Sequence, residues 1–284
     1  MKAPAFAYAR PASLDAALRL LERHGDGARI LAGGQSLMPT LNMRLSAPDV
    51  LIDINRIPGL DTIALNDGVL RIGALARYAE LERSRLVAQA APLLARAVAQ
   101  LANPGVRNRG TIGGSLAFAD PAAELPACAV ALGARIAATG PAGTRLIEAA
   151  AFFQGLYRTA LLPGEIVTAV EIPAIGAATR QGYAKLARRH GDYAMIGLAA
   201  QVTLAERRAT AARLVFFAAG DRPVEARAAA AALLAAPNLQ QGGGAAAAAL
   251  AGELDPPNDL QASAAMRVHL ARVLLRRVLG EIVP

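Results

Sequence analysis

The sequence contains a single cysteine, Cys128, among its 284 residues. A chain with one thiol forms no intrachain disulfide, offers no thiolate set for a structural zinc site and holds no iron–sulfur cluster, which takes about four thiolates. The three histidines, at positions 24, 190 and 269, show no spacing typical of metal ligands. We therefore expect no metal site on this chain, and we expect any iron–sulfur cluster that serves it to lie on another chain.

Long uncharged apolar segments are also missing from the sequence. No stretch of about 20 such residues, the length that spans a membrane as a helix, occurs in it. Residues 1–20 contain no apolar core followed by a small-residue cleavage site of the kind that secretory signals carry. We therefore expect a cytoplasmic protein without membrane insertion.

Aromatic residues and lysines are scarce. Tryptophan is absent, aromatic residues make up 4% of the chain, and lysine occurs only at positions 2 and 185, so the formal net charge of +8 rests on arginines scattered along Ala-rich segments. Nucleic-acid-binding modules cluster their cations and carry stacking aromatics or zinc fingers. The sequence therefore favours biased composition or an acidic partner over nucleic acid as the reason for the charge.

The first part of the chain alternates between helix and strand patterns. Apolar residues recur on one helical face from Ser13 to His24, with Ser13 as a capping residue and Gly25 at the end. Residues 78–102 are predicted to be helical, with Pro92 at the start of a second portion. Short apolar runs predict strands at residues 28–31, 50–54, 70–75, 129–138 and 165–172.

A domain boundary is predicted near residue 176, where the small-residue stretch AIGAATR follows Pro173. Beyond it, the pattern predicts an antiparallel sheet with strands at residues 182–187, 196–204 and 214–218, followed by helices near 223–236 and 260–280. The low-complexity run QQGGGAAAAALAG at 240–252 is interpreted as a flexible connection.

Two similar glycine-rich segments lie about 80 residues apart. We call AGGQSL at residues 32–37 the first glycine block and TIGGS at residues 111–115 the second glycine block. Paired glycines permit close backbone approaches, so that successive N–H groups can converge on phosphate oxygens. Neither block matches the G-x-G-x-x-G dinucleotide fingerprint or the G-K-[ST] phosphate loop. We predict that turns in the two blocks bind the two halves of one pyrophosphate, with ordinary tight turns as the alternative for either block.

Four ordered stretches, which together span nearly the whole chain, resemble a known family. They are residues 6–60, from FAYARPAS to NRIPGL, then ANPGVRNRGTIGGSLAFADPAAELPA, LLPGEIVTAVEIP and YAKLARRHGDYAMIGLA. They are similar to the medium, FAD-binding subunit of the molybdenum hydroxylases, the group of carbon monoxide dehydrogenase and xanthine dehydrogenase. The resemblance implies an α+β fold with a two-subdomain, PCMH-type FAD-binding domain at 1–176. It also implies a carbon monoxide dehydrogenase flavoprotein-like C-terminal domain at 177–284, with a small antiparallel sheet and helices.

The resemblance also implies which residues bind the cofactor. In this family the two glycine blocks bind the diphosphate and ribityl region of FAD. The residues that carry over are Ala32, Gly33, Gly34, Gln35, Ser36, Leu37, Thr111, Ile112, Gly113, Gly114 and Ser115.

Three further site residues follow from the resemblance. Glu124 matches an acidic residue on the adenosine side of FAD, with Asp120 as a nearby competitor. Tyr193 resembles the aromatic residue against the isoalloxazine ring in the carbon monoxide dehydrogenase branch, with a core tyrosine as the alternative. Lys185 matches a lysine beside the flavin in the xanthine dehydrogenase branch, where a cation stabilises the anionic reduced flavin, with a solvated side chain as the alternative. No catalytic acid, base or nucleophile is expected on this chain.

The function that the resemblance implies is electron transfer within a larger oxidoreductase. A large subunit would hold a molybdenum-pterin cofactor, a small subunit would hold [2Fe-2S] clusters, and FAD on this chain would pass electrons to a final acceptor. The complex would be a dimer of heterotrimers. The substrate and the acceptor, whether NAD, a quinone or oxygen, are not encoded in the matching stretches. The alternative is a stand-alone FAD-dependent oxidoreductase of related fold, which would turn over a substrate by itself.

Overall fold

A three-stranded, a five-stranded and a four-stranded sheet follow one another along the chain, and each packs against helices. The computed structural model describes residues 2–282. Buried apolar side chains form three clusters: one belongs to the first sheet, one is shared by the second and third sheets, and one lies between the third sheet and the last three helices. The architecture is α+β, and it confirms the expected fold class. Among the described residues, no helix is long and apolar enough to cross a membrane.

The first sheet is parallel and small. The elements of this region are β1 Ala7–Ala9, α1 Leu14–His24, β2 Ala28–Leu31, α2 Leu37–Asn42 and β3 Val50–Asp53. The strand order is β1–β3–β2, with both neighbours parallel to β3. The Ser13 side chain accepts a hydrogen bond from the N–H of Ala16 at 3.2 Å, and Gly25 ends α1 with a φ of +48°. The predicted first helix and both of its ends are confirmed.

The second sheet is antiparallel, and its middle strand comes last in the sequence. The elements are β4 Ile63–Asn66, β5 Val69–Gly73, α3 Tyr78–Arg83, α4 Arg85–Ala90, α5 Pro92–Ala99, α6 Pro104–Arg107, α7 Ile112–Phe118, α8 Glu124–Ala131, β6 Arg135–Gly140, β7 Gly143–Glu148, α9 Ala149–Phe152, β8 Phe153–Gly155, β9 Arg158–Thr159 and β10 Ile166–Pro173. The strand order is β4–β5–β10–β6–β7, while β8 and β9 pair separately. Pro92 begins α5, as predicted.

One predicted strand of this region is half wrong. Residues 129–138 were expected to be extended, but the chain is helical in α8 as far as Ala131, and β6 begins only at Arg135. All eight residues of α8 are buried. A helix that is apolar on every side has no polar face, so its sequence shows no helical period and looks like a buried strand.

The third sheet is buried on both of its faces. Its elements are β11 Thr179–Leu186, β12 Ile196–Ala205, β13 Arg208–Phe217 and β14 Val224–Glu225, followed by α10 Arg227–Ala235, α11 Leu239–Ala249 and α12 Ala264–Ile282. Neighbouring strands are antiparallel, and their order in the sheet is their order in the sequence. One face packs into the same core as α8, and the other packs against α10, α11 and α12. Part of the core is therefore shared by residues before and after position 176.

The interpretation of residues 240–252 as a flexible connection is wrong. Residues 239–249 form α11, which begins after Asn238 and packs between α10 and α12. Gly242 is buried, and a Cβ at this position would lie 2.8 Å from Leu233 Cδ1 and 2.9 Å from Ala236 Cβ. The glycine thus permits a close approach of α10 and α11, which only the tertiary packing reveals.

Two neighbouring glycines of α11 are expected to respond oppositely to alanine. A methyl group added at Gly244 would meet no atom within 4 Å, so G244A should raise the free energy of unfolding by about 0.5–1 kcal/mol through helix propensity. G242A gains the same propensity but overpacks the contact with α10, which costs about 1–3 kcal/mol. Urea denaturation of both variants checks this prediction. Equal effects at the two positions would contradict the packing of α11.

Candidate functional site

A cleft of about 430 Å³ lies between the first and second sheets. Its volume is in the range of small-molecule and cofactor sites. Residues 32–37 of the first glycine block form one wall, and Thr111 with residues 113–115 of the second glycine block forms the opposite wall. Leu161 and residues 163–167 close one side, and residues 25, 26 and 28–30 lie along the first wall. The tertiary structure therefore brings the two blocks together across one cavity.

The first glycine block presents a series of unpaired donors to this cleft. Within residues 2–282, the five successive backbone N–H groups of residues 33–37 have no hydrogen-bond acceptor, and we call them the N–H run. The next amide, that of Met38, donates to Gly34 O at 3.1 Å as α2 begins. Gly34 has a φ of +68°, in the left-handed region that favours glycine. Successive N–H groups in such a turn form an anion-binding concavity, so this wall fits a diphosphate.

The second glycine block does not match the prediction that its turn also offers successive N–H groups. The N–H groups of Ile112 and Gly113 donate to backbone carbonyls of residues 74–76 at 3.1 and 2.9 Å. Those of Gly114 and Ser115 donate to Oγ1 and to the carbonyl of Thr111, each at 3.1 Å. The block forms the start of α7, with Thr111 as its cap, rather than an open turn. Ile112 is buried in the core behind the cleft.

The first glycine block touches the segment just before the second block at Gly33. A Cβ at this position would lie 2.4 Å from Arg109 O and 2.9 Å from Gly110 Cα. Real Cβ atoms do not approach backbone atoms so closely, so the contact requires glycine. Arg109, which lies two residues before the second block, thus sets the distance between the walls.

Tyr78 is a cleft residue that the sequence analysis missed. It lines the cavity next to the second block, and its N–H donates to Gly110 O at 3.1 Å. Burial raises the pKa of its hydroxyl to about 12, although a hydrogen bond to Ser115 acts in the opposite direction. The sequence holds no signal for this role, because Tyr78 is the first residue of an ordinary helical pattern.

Glu124 and Lys185 form a buried ion pair outside the cleft lining. Lys185 Nζ lies 2.8 Å from Glu124 Oε1, and the two side chains are 5% and 10% exposed. Lys185 Nζ also donates to the backbone carbonyl of Asp192 at 3.3 Å. The expectation placed Glu124 at the adenosine side and Lys185 at the flavin side of FAD. The structure brings these two expected site residues together in one ion pair.

Tyr193 and Asp120 lie beside each other outside the residues that line the cleft. The tyrosine is 58% exposed, and partial burial followed by the charge of Asp120 raises the pKa of its hydroxyl to about 12. Burial also raises the pKa of the Asp120 carboxyl. Phe118, which lines the cleft, packs against Tyr157 with 5.1 Å between ring centroids. Asp120 is therefore part of an aromatic cluster around Tyr193.

All five tyrosines are expected to resist ionisation in the folded protein. The pKa of each hydroxyl is raised, by burial at Tyr78, Tyr157, Tyr183 and Tyr193 and by the hydrogen bond to Asp53 at Tyr8. Because the unfolded chain ionises its tyrosines near pH 10, this stabilisation is fully present below pH 10 and is lost as the pH rises toward about 12.

A phenolate absorbance titration of the folded protein, with the guanidinium-unfolded chain as control, checks this prediction. The folded protein should show little phenolate at the pH at which the control is half ionised, and its free energy of unfolding should fall above that pH. A folded-state curve that coincides with the control would contradict it.

Two family models match the chain. The FAD binding domain in molybdopterin dehydrogenase matches residues 4–175, and the CO dehydrogenase flavoprotein C-terminal domain matches residues 181–282. The chain belongs to the FAD-binding medium subunits of the molybdenum hydroxylases. The resemblance recognised in the sequence is thereby confirmed.

Relatives of this medium subunit match it over almost its whole length. It is 40% identical over 282 residues to the 6-hydroxypseudooxynicotine dehydrogenase complex subunit alpha of Paenarthrobacter nicotinovorans, in a match that covers 99% of this chain and 95% of the relative. Carbon monoxide dehydrogenase from Hydrogenophaga pseudoflava, in a form that lacks the Mo-pyranopterin moiety, matches with a TM-score of 0.97 at 36% identity, over 99% and 98% of the two chains. Quinoline 2-oxidoreductase from Pseudomonas putida 86 matches with a TM-score of 0.93 at 37% identity, over 99% and 98%. The relatives are parts of oxidoreductases.

Proposed function

We propose that this chain holds FAD in the cleft and passes electrons from iron–sulfur clusters on a partner subunit to a final acceptor. The observation that carries the proposal is the N–H run: residues 33–37 line the cleft, and their backbone N–H groups have no acceptor in the described part of the chain. Such a run neutralises an anion through fixed backbone dipoles without a lysine or arginine. A diphosphate at this wall would be held between the two glycine blocks.

The second block contributes differently to the proposed site. Since most of its N–H groups are engaged within the protein, we assign to it the hydroxyl groups of Thr111 and Ser115 and the close packing of its glycines. Ala32 contributes to the same cleft from the first wall. Ile112 acts from behind the wall, as a core residue that fixes α7 in place.

We assign Glu124, Lys185 and Tyr193 together to the isoalloxazine end of the cofactor. Lys185 Nζ lies 2.8 Å from Glu124 Oε1 and donates to the backbone carbonyl of Asp192, the residue before Tyr193, so the three residues are neighbours. The exposed ring of Tyr193 offers an aromatic face. Residues 28–30, which also line the cleft, are then left for the adenosine.

The chemistry of the proposed function belongs to the cofactor. FAD, when bound, accepts electrons singly and releases them in pairs, whereas the protein supplies binding, orientation and electrostatic tuning. The residues of this chain would bind the diphosphate at residues 33–37, cover one face of the ring with Tyr193 and place the Lys185–Glu124 pair beside it. No proton donor or nucleophile of this chain is required for electron transfer.

The proposal places the chain in a complex with two other subunits. A small iron–sulfur subunit and a large molybdenum subunit, assembled as a dimer of heterotrimers in the cytoplasm, would complete the oxidoreductase. Support comes from the single cysteine of this chain, which leaves cluster ligation to a partner. Relatives of the same fold are named for quinoline and for carbon monoxide, which supports substrate selection outside the medium subunit.

We propose residues 1–176 as the FAD-binding domain and 177–284 as the C-terminal domain.

Flavin binding and electron input test the proposal. Purified chain, alone and assembled with its partner subunits, is titrated with FAD, and flavin fluorescence and absorbance are followed. We expect FAD to bind, and to be reduced only when the reduced iron–sulfur subunit is present. Turnover of an oxidisable substrate by the chain alone would favour the stand-alone oxidoreductase. Failure to bind FAD in both the isolated and the assembled chain would overturn the proposed function.

A further inference from the structure

Asn55 connects the first glycine block to the neighbouring strand. It follows β3 by two residues, and its side-chain nitrogen Nδ2 donates to Ala32 O at 2.8 Å and to Asp53 Oδ1 at 2.6 Å. Its backbone N–H donates to the same carboxylate oxygen at 2.9 Å. The other oxygen of Asp53 accepts from the hydroxyl of Tyr8 on β1. The carbonyl that opens the first block is thus tied to the first sheet.

Arg77 connects Asn55 to the segment before the second glycine block. Its Nη2 donates to Asn55 Oδ1 at 2.6 Å, and its Nη1 donates to Arg109 O. The guanidinium group has a rigid fork of donors, so it holds two acceptors at a fixed separation. Arg77 is also the N-cap of α3, where its backbone N–H donates to Glu80 Oε2 at 2.7 Å. The backbone position of the arginine is therefore fixed independently of its side chain.

These contacts close a ring around one edge of the cleft. On one side, Gly33 follows Ala32 and packs against Arg109 O. On the other side, Arg77 donates to both Arg109 O and Asn55 Oδ1. Asn55 in turn donates to Ala32 O, which completes the ring. The same carbonyl, Arg109 O, is both the atom that Gly33 touches and the acceptor of the guanidinium. The orientation of the Asn55 amide is also determined, since its NH₂ faces two oxygens and its oxygen faces the cation.

We infer that Asn55 and Arg77 are positioning residues that hold the two glycine blocks at the separation required for the cofactor diphosphate. Neither side chain lines the cleft, so their action is on the backbone of the walls. The inference rests on the proposed function, because it names what sets the geometry of that site. The donors of Arg77 are occupied by Asn55 and Arg109, which distinguishes this arginine from a cation that binds phosphate directly.

Four variants test the positioning role. R77K keeps the charge, but a single ammonium group does not reproduce the two-acceptor fork. N55A removes both the donor to Ala32 O and the acceptor for Arg77, which together form the Asn55 bridge. N55D retains an acceptor for Arg77 but loses the donor to Ala32 O. R71A is the matched control, since Arg71 forms an ion pair with Glu171 at 2.9 Å on the second sheet and does not line the cleft.

Flavin affinity of the assembled complex is the first measurement. R77K and N55A should each raise the dissociation constant of FAD by about tenfold to a hundredfold, as expected for a lost hydrogen bond to a charged group. The double variant R77K/N55A should weaken binding no more than the stronger single variant, because both act through one bridge. R71A should leave the dissociation constant of FAD within about twofold of the wild-type value, as expected for the loss of an ion pair at the surface.

Amide hydrogen exchange without FAD is the second measurement, and it does not depend on the proposed function. Exchange at residues 32–37 and 109–115 should be faster in R77K, N55A and N55D than in the wild type and R71A. Faster exchange with no FAD binding by any protein, including the wild type, would overturn the proposed function and leave the bridge intact. Unchanged exchange together with an unchanged dissociation constant of FAD in all three variants would overturn the positioning role. A lower free energy of unfolding of these variants with unchanged FAD affinity would also overturn the positioning role.

Discussion

G33A should lose FAD binding by about a hundredfold or more. The added methyl group would lie 2.4 Å from Arg109 O, 2.9 Å from Gly110 Cα and 3.0 Å from Arg109 C. All three are backbone atoms, so no side-chain rotation relieves the overlap, and the two walls of the cleft must separate. A displacement of about 1 Å at a site of preorganised donors costs about a hundredfold. FAD titration of the variant, alone and in the assembled complex, measures the effect.

The control for this prediction is G244A. Gly244 lies in α11, far along the chain from the cleft, and nothing lies within 4 Å of the position of an added Cβ. Its FAD affinity should equal that of the wild type. Wild-type affinity in G33A would show that the contact between Gly33 and Arg109 does not set the spacing of the walls.

K185M should lower the free energy of unfolding by about 3–5 kcal/mol. The reason is that Glu124 would remain as a buried charge without its partner, which is the situation in which breaking a buried ion pair costs most. The side chains are 5% and 10% exposed and 2.8 Å apart. The pair also joins α8 to β11, so its loss loosens the contact across position 176. Urea denaturation followed by far-ultraviolet circular dichroism measures the change.

Two further variants make this prediction sharper. The double variant K185M/E124L should recover a large part of the loss, since an apolar pair of similar volume replaces a buried ion pair at little cost. R227M is the exposed control: Arg227 is 82% exposed and pairs with Glu225 at 3.1 Å, so its loss should change stability by no more than about 1 kcal/mol. A K185M effect as small as that of R227M would contradict the buried pair.

The proposed diphosphate wall of this site is built from backbone donors. Arg29 lines the cleft, but its guanidinium group donates to the backbone carbonyls of Asp26 and Ala28, and that of Arg77 is engaged with Asn55 and Arg109. The site therefore depends on backbone geometry more than on side-chain charge. This dependence explains why a single methyl group at Gly33 is expected to have a larger effect than the loss of one hydrogen bond at Asn55.

Local patterns in the sequence were sufficient where the signal is local. The first helix was predictable because Ser13 and Gly25 mark its ends and its apolar residues share one face. The strands β2, β3, β10 and β12 followed from short apolar runs bounded by glycine and proline. The same reasoning failed for α8 and α11, since a helix buried on every side, or one rich in glycine, has no amphipathic period to detect.

By itself the sequence determined the family, the fold class and the two glycine blocks, because four ordered stretches and the residue types within them are properties of the chain order. Only the tertiary structure decided which block keeps its N–H groups free, that Glu124 and Lys185 share one ion pair, and that Asn55 and Arg77 join the walls of the cleft. The ion pair and the bridging hydrogen bonds join residues 22 to 61 positions apart. Their distances depend on how sheets and helices pack, and no local pattern of residue types records that packing.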